Sequence, residues 1–371
     1  GYAGSILAWI LAKRGRKVLM LDRSAHPRFA IGESSTPTAD SLLAALAHEH
    51  DLEPLRHLAT FGSWQVKLPQ LRCGLKRGFS YFCHDPGQPF VDDREHQNSS
   101  LVAASISDEF SDTHWLRSDV DAYLAQQAVY AGVQLVENVT IRQIAKCSED
   151  WQVEIGDAQT FCGRFLIDAT GSPAFARQYL AAGDADGQLT TRARAIYGHF
   201  FGLGAMSPIV NADGRFESIF DPDDAAQHHV FEHGWMWNLR FQDRLASVGL
   251  VTTDFQTPLE TQWHGLLQRY PTIGQLLQHA QLVDSTFHDL RSVDRMMKIE
   301  GRITRMNCVA SGDGWASVPG AFGFVDPLHS TGIAHNLTGV RRLARILLGD
   351  KGKWQTALME YSCRLESEVR W

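Results

Sequence analysis

Near its C-terminal end the chain carries Phe324-Val-Asp-Pro-Leu-His-Ser-Thr-Gly-Ile-Ala-His335, a Pro-x-x-Ser-x-Gly turn that opens a helix predicted over 332–348. The backbone amides of Thr331 and Gly332, at the positive end of that helix, make a nest for an anion. Pro327 and Gly332 shape the turn, and Ser330 either orients a reacting molecule or caps the helix. At the other end, Gly1-Tyr2-Ala3-Gly4 reads as the last four residues of a G-x-G-x-x-G fingerprint. Gly1 would let backbone approach a pyrophosphate, and Gly4 would let helix and strand pack closely. Asp22 follows Gly4 by 18 residues, near the roughly 20-residue spacing of a carboxylate that binds a ribose 2′-hydroxyl. An acid there repels a 2′-phosphate, so FAD or NAD fits better than NADP. The alternative is an ordinary α/β turn.

These groups need elements to hold them. A helix over 5–15 is ended by Gly15, and a buried strand over 17–22 ends in Asp22. A second helix opens near 115–124, capped by Ser118 or Asp119, and ends at Gly132. A strand over 133–139, a hairpin at 151–155 and a strand ending in Asp168-Ala-Thr-Gly171 follow. Such a turn would lay backbone against the adenosine side of a dinucleotide. Arg117, before the second helix, is either solvated or a contact to the cofactor's phosphate or sugar chain. Strands over 195–203, 228–241 and 246–252 and an amphipathic helix over 258–270 supply a substrate-side sheet. The 354–371 stretch reads as an amphipathic helix.

The bulk composition excludes several classes. The 371 residues are 44% hydrophobic, enough for a large core. Net charge is −7 and no basic stripe stands out, so nucleic acid and anionic membranes are poor partners. The six cysteines show no C-x-x-C spacing, which suits reduced thiols and a cytoplasmic location. No apolar run reaches the roughly 20 residues of a membrane span. No strand precedes Gly1 and nothing punctuates the C-terminal stretch, so the chain reads as a fragment of a longer protein. His228-His229 and Glu232-His233 invite a metal, but one strand would place only His229, Phe231 and His233 together, so no metal site is expected.

Four segments resemble the flavin-dependent halogenases, particularly those acting on pyrroles and phenols. Ala25-His-Pro-Arg-Phe-Ala-Ile-Gly-Glu-Ser-Ser-Thr-Pro37 is similar to their His-Pro-Arg-Phe-x-Ile-Gly-Glu-Ser segment. Lys76-Arg-Gly-Phe-Ser-Tyr-Phe82 resembles the K-x-G-x-x-F motif with the family's essential lysine. Gly234-Trp-Met-Trp-Asn-Leu-Arg240 resembles W-x-W-x-I-P, and 324–332 matches F-x-x-P-x-x-S-x-G at every fixed position.

The resemblance implies an α/β (α+β) fold: a p-hydroxybenzoate-hydroxylase-like FAD-binding, Rossmann-type domain with an inserted antiparallel-sheet substrate domain. The FAD domain would be discontinuous over 1–50, 113–190 and 290–350. Residues 51–112 and 191–289 would lie on the substrate side, and 351–371 would start a truncated helical region. It further implies reduced FAD supplied by a separate flavin reductase, dioxygen, and chloride or bromide as co-substrate. Hypohalous acid would pass to Lys76, which holds it or forms a haloamine, and an electron-rich aromatic or pyrrole-like ring, free or carrier-bound, would attack. Lys76 and Ser330 would be catalytic, and Thr331 and Gly332 would bind halide. Gly1, Ala3, Gly4, Asp22, Arg23, Glu33, Ser34, Arg117, Asp168, Gly171, Asp326, Pro327, Gly332 and Ile333 would contact the cofactor. Trp235 and Trp237 would partition flavin from substrate.

Apart from the resemblance, Lys76-Arg77 reads as a two-residue basic surface turn. His329 stands where the indole-type enzymes carry a glutamate, pointing to a non-indole substrate. It is either a base or a structural histidine, and His335 reads as helix packing. Leu239-Arg240 replaces Ile-Pro, and Arg240 either faces solvent or marks a branch with other chemistry. A flavin monooxygenase or a prenyl-reductase-type flavoprotein is therefore the alternative. A ribityl contact by Asp313 is not expected.

Overall fold

The structure is a computed structural model and describes residues 1–370 apart from 93–94, 157–158, 213–217 and 284–296. The expected domain boundary at 289/290 therefore lies outside the described residues.

The Tyr2–Lys13 helix is apolar on almost every face and buried from Tyr2 through Leu11 except at Gly4, with Ser5 among the buried positions. A helix hydrophobic all round must be enclosed, and this one packs against the Arg117–Tyr130 and Gly332–Leu348 helices. Gly4 sets the approach to the dinucleotide-type turn: a Cβ there would lie 2.8 Å from Ala169 Cβ. β1 (Leu19–Leu21) pairs in parallel with β6 (Gln134–Val136). β10 (Leu166–Asp168) pairs in parallel with Trp315–Ser317. Parallel pairs joined through helices are the Rossmann-type arrangement.

The core around the first helix also takes in Leu52, Leu55, Leu58, Trp64, Leu68 and Leu71, together with Leu358, Tyr361 and Leu365 of the Trp354–Arg370 helix. The 52–71 segment thus shares one core with the Tyr2–Lys13 and Gly332–Leu348 helices. Its short helices, Glu53–Arg56 and Phe61–Lys67, are too brief to bury Leu55 and Trp64 by themselves.

Across from that core stands an eight-stranded sheet. It contains β3 (Gly78–Cys83), β4 (Ser99–Ala103), β11 (Arg194–Phe201), β12 (Ala226–Phe231), β13 (Gly234–Arg240), β14 (Leu245–Thr252), β15 (Gln281–Val283) and β16 (Lys298–Glu300). Alternation decides its two faces. Ile196, Phe200, Met236, Val248 and Leu250 point to one core, covered by Trp263, Leu266 and Ile273 of the Leu259–Arg269 and Pro271–Leu277 helices. Ala195, Tyr197, Trp235, Trp237 and Val251 point to the other. β2 (Cys73–Lys76) and β5 (Asp112–Trp115) form a separate antiparallel ribbon, and β7 (Ile141–Cys147), β8 (Asp150–Ile155) and β9 (Gln159–Gly163) make a three-stranded sheet.

Three local expectations are corrected. The 228–241 run is two strands, β12 and β13, with Phe231 opposite Gly234 across a Glu232-His233 turn. A Cβ at Gly234 would lie 2.2 Å from the Val251 carbonyl oxygen, so glycine is what lets the second strand begin there. The 151–155 hairpin is part of the three-stranded sheet. The Arg117–Tyr130 helix starts ahead of Ser118 and Asp119 and has no side-chain cap; Asp119 instead pairs with Arg72 at 2.9 Å. Among the described residues, no helix is long and apolar enough to cross a membrane.

Candidate active site

β13 places Trp235 and Trp237 on one face, two residues apart, with ring centroids 6.1 Å apart. The Trp237 indole donates to Ser247 Oγ at 3.1 Å. Its ring lies over Gly249, where a Cβ would come within 2.2 Å of it. Around this pair gather Tyr197, Phe29 and Ile31 of the 25–37 segment, Phe79 of β3, and Phe324 and Leu328 of the C-terminal turn. Segments some 300 residues apart in sequence thus meet at one aromatic wall.

Lys76 is 0% exposed, so the surface-turn reading of Lys76-Arg77 fails. The cause is strand alternation at the end of β2: Lys76 turns inward, and Arg77 turns out to Asp108 at 2.6 Å. Lys76 Nζ donates to the Ser35 carbonyl and lies 4.1 Å from the Phe79 ring centroid. Burial pulls its pKa down from 10.5 to about 8, against the opposing pull of Asp112 and Asp40. A substantial fraction is then the neutral amine near pH 8, the form that can act as a nucleophile or accept a proton.

The 33–35 segment is stitched to β5. Trp115 N–H donates to the Glu33 carbonyl at 2.6 Å, and Ser35 N–H to the Thr113 carbonyl at 3.0 Å. The buried Glu33 carboxylate meets His199 Nε2 of β11 at 2.7 Å. Ser34 Oγ is buried with no hydrogen-bond partner among the described residues, the kind of polar atom a bound group satisfies.

Arg117 is buried, so the solvated reading fails. Its Nε and Nη2 each lie 2.9 Å from Asp121 oxygens, and its Nη1 donates to the Ile31 and Gly32 carbonyls at 2.6 and 3.1 Å. Its guanidinium also covers the Tyr2 ring at 4.5 Å. Arg117 thus ties the first helix, its own helix and the 25–37 segment together. Beside it is Gly1, where a Cβ would sit 3.2 Å from Asp121 and 3.4 Å from Arg117.

In the C-terminal turn, Ser330 N–H donates to the Pro327 carbonyl at 3.0 Å, and Ser330 has φ +54. The helix begins at Gly332 after Thr331, with no side-chain cap, so the capping reading of Ser330 fails. The uncapped first amides stay available to an anion. The Tyr2 hydroxyl donates to the Gly332 carbonyl at 3.4 Å, joining the two glycine turns. Asp326 accepts from Leu328 N–H at 2.8 Å. Burial raises its pKa, while Leu328 N–H, Trp235 and His329 oppose the rise. Ile333 is buried behind the turn, His329 is exposed, and His335 pairs with Glu368 at 3.2 Å.

Other sites fall farther out. Asp22 pairs with Arg28 at 2.9 Å, and Arg23 is exposed. Asp168 is buried and accepts from Thr170 N–H and Oγ at 3.0 and 2.8 Å; burial pushes its pKa up to about 6. Its side chain holds its own turn, leaving backbone around Gly171 (φ +72) as the exposed surface there. Asp313 pairs with Lys146 on the surface. Arg240 is half-buried and engaged: Nη2 lies 3.0 Å from Asp223, and the guanidinium donates to the Leu203 and Gly204 carbonyls. His229 pairs with His84 at 3.0 Å, and among the described residues no cluster could hold a metal. Sequence reasoning missed Asp40 and Asp112 beside Lys76; the only signal was a polar Asp-Thr-His strand running into Trp115.

The tryptophan halogenase family matches residues 111–370. The chain is 28% identical over 361 residues to monodechloroaminopyrrolnitrin halogenase PrnC of Pseudomonas fluorescens, covering 94% of this chain and 60% of that protein. It is 26% identical to the tetracycline 7-halogenase of Kitasatospora aureofaciens, covering 93% of this chain and 61% of that protein. The chain thus spans about 60% of the length of the curated relatives it matches. Among solved structures, halogenase PltM superposes with a TM-score of 0.83 and 26% identity, over all of this chain and 71% of that one; it has been crystallised with phloroglucinol and FAD. Matching motif segments gathered on one wall, a buried lysine and a family match over most of the chain agree, and the chain belongs to the tryptophan halogenase family of flavin-dependent halogenases.

Proposed function

We propose that this chain is the catalytic part of a flavin-dependent halogenase acting on an electron-rich aromatic or pyrrole-like substrate. The observation that carries the reading is Lys76: a fully buried amine with a depressed pKa, stacked on Phe79, which itself packs on the Trp235–Trp237 wall.

The residues present suit FAD. Gly4 permits the close helix approach at Ala169, Ser34 Oγ is buried without a partner among the described residues, and the Gly332 helix offers uncapped amides. Gly1, Ala3, Gly4, Asp22, Glu33, Ser34, Gly171, Asp326, Pro327 and Ile333 would hold the cofactor. Arg117 would act by fixing the 25–37 segment, and Asp168 by fixing the Gly171 turn. When bound and reduced, FAD supplies, with dioxygen and halide, the halogen oxidant. This chain's residues do the rest. The amides at Thr331 and Gly332 bind the halide, and Ser330 orients the halogenating species. The two tryptophans keep the substrate from direct oxygen transfer. Lys76 offers its neutral amine to the halogen, one N–H proton leaving with the displaced hydroxide as water, and the amine takes up the ring's proton when the ring takes the halogen.

The phloroglucinol bound to PltM and the names of the curated relatives support an aromatic or pyrrole-like ring, free or carrier-bound. A separate flavin reductase and a cytoplasmic setting complete the reading. Arg240, engaged with Asp223, has an internal structural use and need not signal other chemistry.

The test is reconstitution with a flavin reductase, NADH, FAD, oxygen and bromide on an activated phenol or pyrrole. A brominated product that requires bromide is expected. A hydroxylated product independent of halide would replace this reading with a flavin monooxygenase.

A further inference from the structure

The Glu33 side chain crosses from the 25–37 segment to the eight-stranded sheet. Its carboxylate meets His199 Nε2 at 2.7 Å, and both residues are only 2% exposed. A carboxylate so far from water needs a donor. The contact serves whether the imidazole is neutral with its proton on Nε2 or charged.

β11 decides where the imidazole points. Tyr197 and His199 alternate with Ile196 and Phe200 along the strand, so His199 shares the face that carries the aromatic wall. On that face Phe29 packs against both residues. Its ring lies 6.0 Å from Tyr197, nearly parallel, and 4.9 Å from the His199 ring. Phe241 meets the imidazole edge-on at 5.9 Å, and Tyr197 lies 5.9 Å from Trp237. His199 therefore touches the 25–37 segment twice, by a hydrogen bond at Glu33 and a ring contact at Phe29.

The residues between and beside those two points face the nucleotide turn. Arg117 takes the Ile31 and Gly32 carbonyls and covers Tyr2, next to Gly1. Ser34, one residue past Glu33, has a buried hydroxyl with no partner among the described residues. The backbone here is held from the β5 side, through Trp115 N–H on the Glu33 carbonyl and the Ser34–His114 bridge. The Glu33 side chain is held from the β11 side. An apolar pair of similar volume would fill this space without burying a charge, often with equal or better stability. Stability alone therefore gives little reason for an acid and an imidazole at this seam.

We propose that His199 is a positioning residue for the cofactor: through Glu33 and Phe29 it sets the 31–34 segment, and with it the Ser34 hydroxyl, against bound FAD. The proposal rests on the cofactor site read above at Gly1, Glu33 and Ser34.

FAD dissociation constants from flavin fluorescence quenching test it. His199→Leu keeps most of the bulk and loses the donor; His199→Gln puts an amide nitrogen where Nε2 stood. His199→Leu should weaken FAD binding by about tenfold or more, and His199→Gln should stay within about threefold of wild type. His229→Leu is the control for losing a buried imidazole, because His229 is 0% exposed and packs on Phe82 in the other core. It should leave the affinity unchanged. No loss in His199→Leu, equal loss in His199→Gln, or equal loss in His229→Leu would each overturn the proposal. A second reading needs no leucine variant to fold. In 15N-histidine-labelled wild type, the His199 ring signals, identified with His199→Gln, should shift when FAD is added; unmoved signals in the FAD-bound protein would overturn it. Neither readout uses oxygen or halide. Failure to halogenate with these results intact would count against the function alone, and FAD binding that ignores His199 would count against this proposal alone.

Discussion

Arg117 and Lys76 are both buried cations on the same side of the molecule, each reached by the 25–37 segment, and their surroundings treat them oppositely. Arg117 has a bidentate carboxylate, two carbonyls and an aromatic face. Its pKa is raised because Asp121 outweighs burial, and Asp121 falls to about 2. Lys76 has one carbonyl and a ring face, with Asp112 and Asp40 pulling the other way, and burial wins. Paired fully, a buried cation is a rivet; paired partly, it is a reactive amine held near its titration point.

The largest expected effect tests the rivet. Arg117→Met leaves Asp121 buried and unpaired and should cost about 3–5 kcal/mol, read as a drop in unfolding midpoint. The cost should shrink in acid, because Asp121 has a depressed pKa: its contribution is present above the unfolded value of 3.8 and is lost as pH falls towards about 2. Lys76→Met should do the opposite and stabilise the protein at neutral pH by up to about 3 kcal/mol. The native state binds fewer protons than the unfolded chain between about 8 and 10.5, so wild-type stability rises across that window and the gap to the variant closes. Denaturant titrations at pH 7 and pH 10 would measure it. If Lys76→Met destabilised as much as Arg117→Met, the contrast between the two cations would be broken.

Two smaller effects concern what surrounds them. Gly4→Ala drives a methyl to 2.8 Å from Ala169 Cβ. It should cost about 1–3 kcal/mol and weaken FAD binding, seen by flavin fluorescence quenching; undiminished binding would show that this approach does not shape the cofactor site. Trp237→Phe removes the indole bond to Ser247 while keeping a ring over Gly249. A loss of only about 1 kcal/mol is expected in thermal unfolding.

The rivet and the reactive amine also differ in how legible they were. The Gly332–Leu348 helix and the β14 strand stand where glycine punctuation and apolar alternation put them. Gly4 against Ala169 follows from the fingerprint's own packing logic. Arg117 and Lys76 could not be placed by local pattern, because both are polar residues whose burial depends on partners far away in sequence: Ile31 and Gly32 for one, Ser35, Asp40 and Asp112 for the other. Lys76-Arg77 looks like a surface dipeptide unless strand alternation splits it between two faces. The β12–β13 hairpin was hidden because its Glu232-His233 turn lies between two apolar runs without a standard turn dipeptide, and only the crowding at Gly234 marks it. Arg240 illustrates the same limit, since its partner Asp223 lies outside the strand and their pairing is invisible in the strand pattern.

The most direct measurement compares wild type and Lys76→Ala in the reconstituted halogenation assay, with FAD binding checked in both. The account predicts unchanged flavin affinity and a loss of brominated product of about 100-fold or more. Bromination within a few-fold of wild type in Lys76→Ala would contradict it.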